Sequence, residues 1–205
     1  ESGDDGPELT ILRGYLADEG IHSYSDKAAV RDYWSRSLVN RHNGVFSAVG
    51  IPKTSESICF ITDIFGIGQL FYRKIGKMIF FSSTPALLSQ NEDKKNKMSW
   101  SFRMLLGYIP GNATLVEDIR SVPPASVVTF SDKGEKAEHW YDYAKLSRGA
   151  LPVDKQALLV SNKYFTRAID RCRNLEYGQV TLPLSSGFDS RRIFAQLESR
   201  KANFE

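Results

Sequence analysis

A chain of 205 residues that is 41% apolar and carries a formal net charge of +3 has enough material for a buried core, which excludes a disordered segment. Lys94, Lys95 and Lys97 form a local basic run beside Glu92 and Asp93, so a solvated loop is read there and no nucleic acid is expected as a partner. No run of about 18 apolar residues occurs, so no membrane helix is expected. The histidines at 22, 42 and 139 lack metal-ligand spacing, and Cys59 and Cys172 make no disulfide framework. Residues 1–6 lack the features of a signal peptide, and the expected location is a reducing, cytoplasmic compartment.

In chain order, residues 10–16 read as a strand. Ser25 and Asp26 open a helix over 27–39, with Ala29, Val30, Tyr33 and Trp34 on its apolar side. Strands follow at 44–49 and 57–62. A pair at 70–73 and 78–82 is joined by a turn over 74–77. Thr84-Pro85 starts a short helix through Leu88, and 90–98 is a polar loop. Residues 101–108 predict a helix ending near Pro110-Gly111. Residues 121–124 form a rigid turn, 126–131 a strand, Asp132-Lys133-Gly134 another turn, and 139–143 an aromatic exit segment.

The period changes after Pro152. Ala157, Leu158, Val160, Ser161, Tyr164, Phe165, Ala168 and Ile169 form a helical stripe. A strand is predicted over 179–184, then a loop, then a helix carrying Arg191, Arg192, Ile193, Phe194 and Leu197. Residues 202–205 read as the start of another strand. Helix, strand, loop and helix belong to an α/β layer, so the expected domains are 1–150 and 151–205, with the boundary inside 146–152.

The stretch Leu184-Ser185-Ser186-Gly187-Phe188-Asp189-Ser190 is small, hydroxyl-rich and followed by a helix start. Phosphate oxygens need backbone N–H groups and hydroxyls at close range. Ser185, Ser186 and Ser190 can donate, Gly187 permits a tight turn or a positive φ, and a helix N-terminus favours anions. Asp189 repels phosphate directly, so its role at such a site is to hold Mg²⁺. Arg191 and Arg192 either touch phosphate or face solvent. An ordinary loop with an Asp or Ser helix cap fits the same composition. The stretch has neither the lysine of a Walker loop nor the glycine spacing of a dinucleotide fingerprint.

That stretch resembles the pyrophosphatase loop of the asparagine synthetase family, usually Leu-Ser-Gly-Gly-Leu-Asp-Ser. Ser185, Gly187, Asp189 and Ser190 match it, and Ser186 replaces a glycine. Three further segments, in family order, resemble its glutaminase half. The first is Asn43-Gly44-Val45-Phe46-Ser47-Ala48-Val49. The second runs from Asp63-Ile64-Phe65-Gly66 through Gln69-Leu70-Phe71-Tyr72 to Ile79-Phe80-Phe81-Ser82-Ser83. The third combines residues 114–119, Val122-Pro123-Pro124-Ala125 and His139-Trp140-Tyr141, similar to the exit from that half, where Pro-Pro-Gly is followed by Tyr-Trp. Gln69 stands where the family commonly has proline, and Thr84 follows the serine pair where the family has glutamate nearby.

The resemblance implies an α+β glutamine-amidotransferase-like layered sheet domain followed by the start of an α/β adenine-nucleotide α-hydrolase-like (PP-loop) domain. It implies an ATP-dependent amide-forming ligase that activates a carboxylate as an acyl-adenylate and releases pyrophosphate. The cofactors would be ATP and Mg²⁺. Ser185, Ser186, Gly187, Phe188, Asp189 and Ser190 would bind the nucleotide, with Asp189 on the metal. The partners would be a carboxylate substrate, a nitrogen donor, and the rest of the synthetase domain or a second chain. The family's glutaminase uses an N-terminal cysteine, whereas this chain begins with Glu1, and neither Cys59 nor Cys172 substitutes. Either glutaminase chemistry has been lost or the front has been removed; the expectation is a chain shortened at both ends, with glutamine hydrolysis not expected from it alone. Asp63 and Gly66 are read as shaping a turn, with an active-site role for Asp63 as the alternative. A degenerate, non-catalytic scaffold or binding subunit of the same fold is the competing reading of the whole.

Overall fold

The computed structural model describes residues 7–16, 44–52, 57–144, 154–173 and 181–199. The helix expected at 27–39, the domain boundary within 146–152 and the strand start at 202–205 lie outside the described residues, as do residues 1–6, His22 and His42. The described residues fall into two compact units, one ending at Asp142 and the other beginning at Tyr143.

The first unit is an α+β domain of layered antiparallel sheets. Strands β1 (Pro7–Leu16), β2 (Gly44–Pro52), β3 (Ile58–Thr62), β7 (Ser126–Ser131) and β8 (Gly134–His139) form a five-stranded sheet in the order β1-β2-β3-β7-β8. Strands β4 (Phe71–Ile75), β5 (Met78–Ser82) and β6 (Ile119–Ser121) form a second sheet in the order β5-β4-β6. Alternation dictates which faces meet. In β7, Ser126, Val128 and Phe130 are buried while Val127, Thr129 and Ser131 are half-buried. Register pairs Val49 with Phe60 and Phe60 with Val128, placing one apolar row across three strands. The Phe60 ring, fully buried, lies 5.9 Å from Tyr72, 5.5 Å from Phe81 and 5.1 Å from Phe130, so the core sits between the two sheets. The Phe60–Phe130 pair is edge-to-face, a geometry that adds to area burial.

Two strands were not expected from the sequence. β6 has only three residues, and β8 reads Gly-Glu-Lys-Ala-Glu-His, an exposed edge strand without an apolar period. A 3₁₀ turn, Pro85–Leu88, falls where Thr84-Pro85 predicts it. Helix α1 (Lys97–Leu106) starts and ends earlier than the sequence reading places it. The Asn96 side chain accepts from Ser99 N–H at 3.1 Å and caps the first turn inside the predicted loop. At the other end Gly107, at φ 79°, stops the helix before Pro110.

The second unit contains helices α2 (Lys155–Arg173) and α3 (Phe188–Ser199) among its described residues. Arg192 ties them: its Nη2 donates to Asn162 Oδ1 at 2.7 Å and its guanidinium lies 4.2 Å over the Phe165 ring. Residues 181–184, the described part of the strand predicted over 179–184, are irregular. Pro183 has no N–H to give a ladder, and no strand stands among the described residues of this unit to pair with it. The described residues therefore show no sheet of an α/β nucleotide-binding domain.

Candidate functional site

Of the residues read as phosphate ligands, the structure brings Ser185, Gly187 and Ser190 into one small hydrogen-bonded loop. Ser185 N–H donates to Ser190 Oγ at 3.2 Å, and the two hydroxyls lie 2.9 Å apart. Gly187 N–H donates to Ser185 Oγ at 3.2 Å, and Ser190 Oγ donates back to the Ser185 carbonyl at 3.1 Å. A Cβ at Gly187 would approach Ser185 Oγ to 3.2 Å, so the glycine keeps the loop tight without using a positive φ. Ser186 is exposed beside it.

Helix α3 begins directly after the loop. Phe188 projects into solvent, 84% exposed, and Asp189 lies exposed in the first turn. The two adjacent arginines, alike in sequence, are divided by their contacts. Arg192 is committed to α2, whereas Arg191 stays with the loop, its Nε donating to the Gly187 carbonyl at 3.3 Å and its guanidinium 4.6 Å from the Phe188 ring. The signal for the Arg192 tie, Asn162 and Phe165 one turn apart on α2, is recognisable only once the two helices are placed together.

No group of three metal-ligating side chains occurs among the described residues. Magnesium needs none, because it is held by one or two carboxylates together with substrate phosphates and water. Asp189, with no hydrogen bond or ion pair among the described residues and with hydroxyls and first-turn N–H groups next to it, fits that donor set.

The cysteines are placed differently. Cys59 Sγ lies 3.5 Å from Thr129 Oγ1 across β3 and β7, half-buried in the sheet. Cys172 is at the surface of α2, and partial desolvation of its sulfur raises the thiol pKa above its usual value, with Arg171 opposing. At Cys172 that burial disfavours a thiolate nucleophile.

In the first unit, the segments that carry the glutaminase resemblance converge on Asp63. This residue is 1% exposed. Its Oδ1 accepts from Phe65 N–H at 2.9 Å and Ile67 N–H at 3.2 Å; its Oδ2 accepts from Phe46 N–H at 3.2 Å and Gly68 N–H at 2.6 Å. Its carbonyl accepts from Ala125 N–H at 2.9 Å, and the Ala125 carbonyl accepts from Trp140 N–H at 2.8 Å. Trp140 Nε1 returns to the Thr62 carbonyl at 3.2 Å, and Thr62 Oγ1 donates to the Pro123 carbonyl. A Cβ at Gly68 would come within 2.3 Å of the Phe46 carbonyl carbon, so only glycine lets the loop lie on β2. Both carboxylate oxygens are engaged by backbone, which makes Asp63 the organiser of this corner rather than a group aimed at a substrate.

Residues 20–141 match the family profile described as Glutamine amidotransferase domain, more than half of the chain. The chain belongs to this family. The matched segment of this glutamine amidotransferase domain contains the whole Asp63 corner, and the serine loop at 185–190 lies beyond it. No curated protein matches the sequence. Among solved structures, the glutamine phosphoribosylpyrophosphate (PRPP) amidotransferase from B. subtilis complexed with ADP and GMP is 14% identical, covering 96% of this chain and 44% of that one with a TM-score of 0.40. A structure described as the allosteric regulatory enzyme of purine biosynthesis is also 14% identical, covering 52% of this chain and 17% of its own at a TM-score of 0.33. The chain thus spans less than half the length of either.

Proposed function

We propose that this amidotransferase-family chain serves an ATP-dependent amide-forming ligase of asparagine synthetase type. Residues 1–150 would be its glutaminase-like domain and 151–205 would begin its nucleotide-binding domain. The observation that carries the reading is the closed serine loop at the head of α3, with Asp189 exposed and uncommitted beside it.

In this reading a carboxylate oxygen of the acceptor attacks the α-phosphorus of the substrate ATP. The bond to the bridging oxygen breaks, and pyrophosphate departs with the electron pair. A nitrogen donor then attacks the activated acyl carbon, AMP leaves, and the nitrogen loses a proton to give the amide. Ser185, Ser186, Gly187, Phe188, Asp189 and Ser190 line the pyrophosphate end, where the first-turn N–H groups of α3 meet developing negative charge while the Ser185 and Ser190 hydroxyls hold the loop closed. Magnesium, when bound at Asp189, neutralises phosphate charge.

Titration calorimetry of the full chain with Mg²⁺ and pyrophosphate tests this. Asp189→Ala should weaken magnesium-dependent binding by about tenfold or more, the worth of one charge-assisted contact, and leave the unfolding of the first unit unchanged. Binding that ignores Asp189 would remove the metal role. No binding of MgATP or pyrophosphate at all would favour a non-catalytic scaffold.

A further inference from the structure

The first unit contains a cavity of about 750 Å³ that the amide-forming reading does not use. Its walls are largely apolar, with Leu70, Phe71, Ile109 and Val122 among them, and Arg103 and Tyr108 stand at its polar side. Two nearby hydroxyls are already spent: Ser89 Oγ donates to the Ala86 carbonyl at 2.9 Å and Thr114 Oγ1 to the Ile119 carbonyl at 2.8 Å. Arg103 is not spent. Its Nη1 donates to the Gly107 carbonyl at the end of α1, and it has no acid partner among the described residues. No carboxylate lines the cavity. A guanidinium with most of its donors open, set at an apolar hollow of ligand-binding size, complements an anion attached to an apolar body.

We infer that this cavity binds a small organic monocarboxylate with a bulky apolar or aromatic body, its carboxylate held by Arg103 and its body against the Leu70–Phe71 wall. The inference is independent of the nucleotide reading, since every residue it uses lies in the first unit.

The test is calorimetric titration of the full chain with N-benzoyl-L-phenylalanine and with its uncharged amide. The acid should bind about tenfold or more tighter than the amide, as a charge-assisted contact requires. Arg103→Gln should bring the acid down to the amide's affinity, and Arg103→Lys should keep part of the preference. Ala86→Trp, at an exposed lining position, should weaken both ligands by filling the space while leaving the melting temperature unchanged; it keeps the test alive if loss of the Gly107 contact unfolds the arginine variant. Equal affinity for acid and amide, no binding of either, or a preference that survives Arg103→Gln would each overturn the assignment.

Discussion

At Asp63 a single carboxylate accepts four backbone N–H groups, two on each oxygen. Alanine there would strand the Phe46 and Gly68 donors, whose bonds are buried, and release the part-buried pair at Phe65 and Ile67. Each buried unsatisfied group costs about 1–3 kcal/mol, so Asp63→Ala should lose at least about 3 kcal/mol after partial relaxation. Asparagine should be no rescue, because its NH₂ would face two donors. Urea unfolding of both variants checks this, and a near-native Asp63→Asn would show that the network is not acting as drawn. Ala125 presents a closer balance. It is fully buried at φ 49°, a left-handed conformation usual for glycine. Ala125→Gly would relieve about 1–2 kcal/mol of strain. It would also forfeit about 0.8 kcal/mol for the buried methyl and about 0.4–1 kcal/mol through the freer unfolded chain. The variant should therefore unfold within about 1 kcal/mol of native, whereas β-branched Ala125→Val should be strongly destabilised.

At the scale of elements, β4 is clamped to the segment following the 3₁₀ turn. Arg73 donates to Asp93 through two nitrogens, at 2.8 and 2.6 Å, and to the Leu88 carbonyl at 3.0 Å. The Arg73 hydrogen bonds, with that of Gln90 N–H, hold the Asp93 carboxyl below the usual carboxylate range. An acid whose native pKa lies below its unfolded value adds stability that is complete above the unfolded value, roughly pH 4, and disappears as pH falls through the native one. Asp93→Asn should flatten the acid limb of the stability–pH curve between about pH 4 and 2, measured by urea unfolding at several pH values; an unchanged limb would rule the clamp out as its source. Most strands were legible for the same kind of reason: in β7, Val128 and Phe130 alternate with half-buried neighbours. β8 was not, because an edge strand of Glu, Lys and His has no apolar period to read. α1 was displaced because Asn96 caps it inside a polar run. Residues 181–184 carry an apolar strand composition, but pairing is a property of neighbours and not of the segment itself.

Over the whole molecule, the resemblance read from short, scattered segments is explained by where those segments go. Phe46, Asp63, Ala125 and Trp140 are far apart in the chain and meet in one chain of backbone hydrogen bonds. The serine loop was legible as a compact turn before a helix. The unequal fates of Arg191 and Arg192 were not, since they depend on α2. The Arg103 cavity was equally hidden: a basic residue in a helix's last turn reads as a favourable dipole contact, and nothing in its flanks announces the hollow beside it. The Asp63 corner also makes a statement about time. Residues 65, 67 and 68 belong to no strand or helix, yet their amide protons point at a carboxylate shielded from water. In deuterated solvent those irregular amides should exchange as slowly as the central sheet, because releasing any one of them requires the corner to open as a unit.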